Sequence, residues 1–149
     1  MDVAALIISI LALMLSIIQF IQEASRQKKE ATLNAYNILQ DDAFSYLIKL
    51  SREELNPPPK YHSQEYDRIT NCLAKIEMFS TGINTGIYSI KVLNRLGGAF
   101  FIHQYDRLSE IIEEKRKEDR TKGKHYDEFE QTVKKLKHIR GLYIELTTP

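Results

Sequence analysis

The sequence predicts an all-α protein, with one N-terminal transmembrane helix continuing into a cytoplasmic antiparallel helical bundle. Three observations carry that prediction. Val3 to Gln22 contains no charged residue. Beyond it, apolar residues recur at three- and four-residue steps, the spacing that lines one face of a helix. No stretch alternates apolar and polar residues for long enough to read as a strand. The chain divides into an anchor over 1–24, a juxtamembrane helix over 25–56 and a helical cytoplasmic domain over 57–149.

The anchor reads VAALIISILALMLSIIQFIQ. At about 1.5 Å per residue it reaches roughly 30 Å, the thickness of one hydrocarbon core. Twelve of its twenty residues are Val, Leu, Ile or Phe. At about −0.3 to −0.6 kcal/mol each, these favour insertion by roughly 4 to 7 kcal/mol before Ser and Gln are set against them. A cleaved signal peptide wants a basic start and a small-residue exit; Met1-Asp2 and Gln19-Phe20-Ile21-Gln22-Glu23 supply neither. The core helix of a soluble bundle usually carries one charged face, and this run carries none. No Lys or Arg precedes the span, whereas Arg26, Lys28 and Lys29 follow it. The positive-inside rule therefore predicts a single-pass inner-membrane protein with its N-terminus outside and its domain in the cytoplasm. Cys72, the one cysteine, cannot form an internal disulfide and suits a reducing compartment.

Ala5, Ser9, Ala12, Ser16 and Gln19 follow one another at steps of four, three, four and three. That spacing places small or polar side chains along one stripe of the span. In lipid, small residues let backbones approach, and Ser or Gln can hydrogen-bond across the contact. The stripe predicts a homo-oligomer in the bilayer; a pore lined by it would be a further step.

All 21 Lys and Arg lie after the span with 19 of the 20 acidic residues, so the remainder is close to neutral. Nucleic-acid binders usually show a clear basic excess, so none is favoured as a partner. Glu23 to Leu50 continues the span, with Ala31, Ala35, Ile38, Leu39, Ala43, Leu47 and Leu50 on the inward face. Neither Gly nor Pro interrupts residues 2 to 55, so one rod leaves the bilayer and ends by Asn56, before Pro57-Pro58-Pro59. Its basic cluster at 26–29 suits anionic headgroups. A second helix starts at Ser63 as N-cap, with Glu65 in its first turn. Tyr66, Ile69, Leu73, Ile76, Phe79 and Ile83 form its apolar stripe. Around Gly82 and Gly86 it ends or meets a neighbour closely. Ser89 caps a third helix with Val92, Leu93, Leu96, Phe100, Tyr105, Leu108, Ile111 and Ile112 inward. Gly97-Gly98 predicts a kink or tight crossing inside it. The charged stretch Glu113 to Lys124 contains Gly123 and reads as the run into a loop. Tyr126 to Leu146 makes the last helix, with Phe129, Val133, Leu136, Ile139 and Tyr143 inward.

Several of these strings also carry a resemblance. IEMFSTGINTGIYSIKVLNRLGGAFFIHQYDRLSEIIEEKRK, followed by HYDEFEQTV, resembles the bacterial domain of unknown function 4760 family, short proteins with an N-terminal span and a helical remainder. The most specific pieces are Glu77, Phe79, Gly82-Ile83, Gly86-Ile87-Tyr88, the Tyr105 region, Arg116 and Tyr126 to Glu130. Where an acidic residue commonly follows the Tyr, this chain has Ser89, which keeps a capping role and loses a charge. The resemblance implies no assigned chemistry. The family's frequent mobile or prophage-like settings imply host–phage conflict as an arena, by analogy alone.

Catalytic constellations are sparse. Arg120 and His125 have the arginine, four residues, histidine spacing of some ribonucleases, in which His serves as acid or base. Here the spacing crosses a charge run containing Gly123, so a solvated surface is the better reading. A membrane-recruited ribonuclease or hydrolase using this pair is kept as the alternative. His62, His103, His125 and His138 show no metal spacing with one another, and no cofactor or metal is expected. Glu77 lies beside the apolar stripe, so burial would require Arg, Lys, Tyr or backbone donors; Arg95, Arg107 and Tyr88 are near in sequence. Together with Gly82, Gly86 and Tyr88 it forms the candidate polar packing site. Lys134, Lys135, Lys137 and Arg140 read as a solvated basic face. The expectation is a non-enzymatic interaction or assembly module whose partners are the lipid bilayer, further copies of itself and an unidentified protein.

Overall fold

The computed structural model describes residues 3–50, 55, 59–60, 63–118 and 125–147, with the side chains of all of these except 118 and 142–147. Among the described residues every regular element is helical. The first, α1, runs Val3–Leu39, passes into a π-helical turn at Gln40–Phe44 and continues as α2, Ser45–Lys49. Leu50 then leaves helical geometry, with φ −71° and ψ 124°. The rod thus ends at Leu50, ahead of Asn56. Arg107 accounts for the stop, donating to the carbonyls of Leu47 at 3.4 Å and Leu50 at 2.7 Å. Those are end-of-helix acceptors that have no partner within their own helix.

The inward face of this rod is turned from the one predicted. Thr32, Tyr36, Leu39, Ala43, Phe44, Leu47 and Leu50 are buried. Ala31 and Ala35 are only half-buried, and Ile38 is 63% exposed. A π turn carries one more residue than an α turn. It therefore brings adjacent Ala43 and Phe44 to the core together, which a fixed 3.6 period does not anticipate.

The next helix, α3, spans Gln64–Asn84. Ser63 caps it as expected, its Oγ accepting from the Tyr66 N–H at 3.1 Å, with Glu65 and Asp67 in the first turn. All six residues of its predicted apolar stripe are buried. The helix α4 spans Ile90–Glu118 and leaves helical backbone geometry at Gly97, where the kink was expected. A Cβ there would run into the Tyr36 hydroxyl, so the close crossing is present as well. The inward face differs from the predicted one on both sides of the break. Leu96, predicted inward, is 39% exposed, whereas Phe101 and Gln104 are buried. The last helix, α5, spans Asp127–Thr147 and buries Phe129, Val133 and Leu136. Ile139 is half-buried. Pro57, Pro58, His62, Arg120, Gly123 and the Tyr143 side chain lie outside the described residues.

Successive helices run antiparallel. Asp42 pairs with Lys75 and Tyr36 packs on Phe79, which sets α3 against the rod. Arg140 reaches Asn94, while Phe129 packs on Tyr105, which sets α5 against α4. Phe101 sits at the centre. Its ring meets Phe129 at 5.0 Å, Phe79 at 6.1 Å and Phe44 at 6.1 Å, so one aromatic side chain ties together the rod, α3 and α5. Buried aromatic pairs of this kind stabilise by about 0.5–1.5 kcal/mol each beyond the area they bury.

Candidate functional site

Glu77 lies half-buried on α3. Its two carboxylate oxygens accept the backbone N–H groups of Glu128 at 3.0 Å and Phe129 at 2.8 Å. These amides belong to the first turn of α5, where N–H groups lack partners inside the helix. Glu77 is therefore the N-cap of a helix other than its own. Backbone donors satisfy it; the side chains suggested by sequence proximity do not. Arg107 holds the end of α2, Arg95 is exposed, and Tyr88 stacks on Phe79 with centroids 5.3 Å apart. Burial raises the Glu77 carboxyl above its usual range and outweighs the two amide bonds, which lower it.

A second group grips the same helix start. Arg116 donates to the His125 carbonyl at 2.8 Å, Glu130 at 2.8 Å, Glu113 at 3.0 Å and Asp127 at 3.4 Å. Hydrogen bonds from Lys134 and Arg116 hold the Glu130 carboxyl down at about 2. Tyr126 turns the chain into α5 at φ 63°. Its phenol is pushed up to about 12 by burial, with the Glu77 charge adding to the rise. Asn84, at the end of α3, donates to the Glu128 carbonyl at 2.9 Å and carboxylate at 2.7 Å. The string Tyr126 to Glu130 is thus a docking collar, each residue serving the join between α3, α4 and α5.

The other candidate residues serve a turn. Gly86 adopts φ +84°, the left-handed region that favours glycine. Tyr88 donates its N–H to the Gly82 carbonyl at 2.8 Å. A Cβ on Gly82 would overlap the Tyr88 ring. Ser89 accepts from the Val92 N–H at 3.4 Å and donates its own N–H to Thr32 Oγ1 at 2.8 Å. The turn is thereby fastened to α1 through a buried threonine hydroxyl. Sequence periodicity missed Thr32, because a polar residue on an apolar face gives no signal by spacing.

The structure brings together Gly82, Gly86 and Tyr88 at one end of α3, while Glu77 acts two turns away on α5. Ala5, Ser9, Ala12, Ser16 and Gln19 are all exposed on α1. The Ser9 and Ser16 hydroxyls donate to the Ala5 and Ala12 carbonyls at 2.9 Å. Ser16 precedes Thr32 and Tyr36 by about 160–200° of helical rotation, so the stripe lies on the side of α1 away from the bundle. Of the basic residues near the end of the chain, Lys134, Lys135 and Lys137 are exposed and Arg140 is half-buried, and each has a partner. Lys134 pairs with Glu130, Lys137 with Asp106, Lys135 with Asn84 and Arg140 with Asn94. Among the described residues no group of His, Cys, Asp and Glu could hold a metal ion. Burial raises the Cys72 thiol, which keeps it protonated near neutrality and a weak nucleophile. A groove of about 290 Å³ opens between α1 and α3 beside Ile38, Met78 and Tyr88.

A family model described as a domain of unknown function (DUF4760) matches residues 3–136. No curated protein and no solved structure matches the chain.

Proposed function

The chain belongs to the domain of unknown function 4760 family, and from that premise we propose that it is a non-catalytic, membrane-tethered assembly module. Its α1 crosses the inner membrane with the N-terminus outside. Its helical domain stays in the cytoplasm, and the stripe from Ala5 to Gln19 joins copies of the chain. The observation that carries the reading is the bare apolar surface of α1. No residue from Val3 to Glu30 is covered by the rest of the chain, and Phe20 is 75% and Val3 69% exposed. An apolar surface of that extent in water would seek another solvent or another protein.

The position of the stripe supports assembly, since two copies can meet there while each carries its bundle on the outer side. The same four-and-three spacing passes through Glu23, Arg26 and Glu30. Arg26 pairs with both acids within the helix, at 2.9 and 3.2 Å, so the seam outside the bilayer carries opposite charges close together. Phage defence or membrane stress is the setting this reading implies, with assembly as the event that matters. Full-length protein should float with lipid vesicles and run as an oligomer in detergent, whereas a version lacking the span should stay in solution as a monomer. Ser9→Leu with Ser16→Leu should abolish crosslinking in the bilayer. A full-length chain that stays in the supernatant without detergent overturns the reading.

A further inference from the structure

We infer that the turn from Thr85 to Ser89 is a second membrane contact, which rests Ile87 among anionic lipid headgroups beside the span of its own chain. The inference deepens the membrane reading and rests on it. Ile87 is 63% exposed in the turn, directly after the left-handed Gly86. An exposed isoleucine alone would mean little. Its height above the bilayer gives it meaning.

That height follows from two contacts with α1. Ser89 is bonded to Thr32, and a Cβ on Gly86 would stand 4.0 Å from Lys28 Nζ. Lys28 lies six residues beyond Gln22, about 9 Å along the helix axis. Helical side chains lean toward the helix N-terminus, here toward the bilayer, so the ammonium sits lower than its own backbone. The polar layer of a bilayer is about 5–8 Å deep on each side. Thr32 lies ten residues beyond Gln22, about 15 Å along the axis. The Gly86 side of the turn therefore stands at the outer edge of that layer and the Ser89 side above it, both held by an unbroken helix.

Charge completes the case. Lys28, Lys29 and Lys91 are exposed; Lys28 lies beside Gly86, Lys29 follows it in the chain, and Lys91 comes two residues after Ser89. They form no ion pair among the described residues, in contrast to Arg26 and to Lys134 and Lys137. Lys91 lies in the first turn of α4, so its stem also leans toward the bilayer. Apolar insertion at Ile87 and basic residues nearby are the two terms that hold an interfacial segment to an anionic surface.

The test places a single cysteine at position 87, in the otherwise full chain with Cys72→Ala, and labels it with an environment-sensitive fluorophore. The chain is reconstituted into phosphatidylcholine vesicles with and without phosphatidylglycerol. With the anionic lipid, the probe should shift to the blue and be quenched by spin-labelled headgroups. A probe at Ile48, exposed near the far end of the rod, should respond to aqueous iodide in both lipids. Lys28→Ala and Lys91→Ala should each lower the inserted population about fivefold. If the chain floats with anionic vesicles and the probe at 87 is as open to iodide as the probe at 48, the turn does not touch lipid. If the chain does not float, the membrane reading fails, and this contact fails with it.

Discussion

Glu77 supplies α5 with acceptors that the helix cannot supply for itself, while α5 supplies the donors that make a half-buried carboxylate tolerable. Glu77→Ala leaves two amides unpaired and should cost about 1–3 kcal/mol. Glu77→Gln keeps one acceptor and should cost less. Thermal unfolding of the full chain in detergent, followed by far-ultraviolet circular dichroism, ranks the two. Acid acts on the same join through Glu130. Its folded value of about 2 lies below the ordinary 4.5, so the unfolded chain takes up the proton first. The stabilisation is complete above pH 4.5 and is lost as pH falls toward 2. With solvent screening it amounts to about 1–2 kcal/mol. Glu77 runs in the other direction. Its value is raised by burial, so its contribution is fullest below the unfolded value and declines as it ionises. Replacing Glu130 with Gln should flatten the acid limb of the stability–pH curve, and an unchanged limb would remove Glu130 as its source.

At the scale of the element, the crossing of α1 and α4 at Gly97 sets how closely those helices pack. A methyl group at Gly97 meets the Tyr36 hydroxyl and then its ring carbon, Cζ, at 3.0 Å. Gly97→Ala should therefore destabilise by about 1–3 kcal/mol, as overpacking does. Tyr36→Phe should recover part of that loss, because it removes the nearest atom. A double-mutant cycle on melting midpoints reads this directly, and strictly additive effects would show that the two positions do not collide. The sequence announced this crossing, since paired glycines inside a helix have few other uses. It did not announce Phe101. Periodicity continued through the kink favoured Phe100, and only the change of backbone direction at Gly97 brings Phe101 to the core. The π turn misled in the same way for Ile38, by adding a residue to the count.

For the whole molecule, the legible part was what repeats along a helix. The α3 stripe, its Ser63 cap and the bare span all follow from spacing and side-chain type. The joins between helices were harder. Glu77 announced itself as a carboxylate near an apolar face, yet its partners are backbone amides some fifty residues later, which carry no side-chain signature. Arg107 and Thr32 act across comparable separations. Family-level pattern did better here than periodicity: Glu77, Arg116 and Tyr126 to Glu130 prove to be one connected collar.

From Val3 to Lys49 the backbone stays helical without a joint. Such a shaft is about 70 Å long, and in the proposed membrane-tethered arrangement roughly 40 Å of it would stand clear of the hydrocarbon. A bilayer that thins makes an over-long span lean, commonly by about 20°. Over that free length the lean swings the far end sideways by roughly 14 Å, and the bundle clamped to it swings too. In that arrangement a change of a few ångströms in lipid thickness would be enlarged into a displacement comparable with the width of a helix.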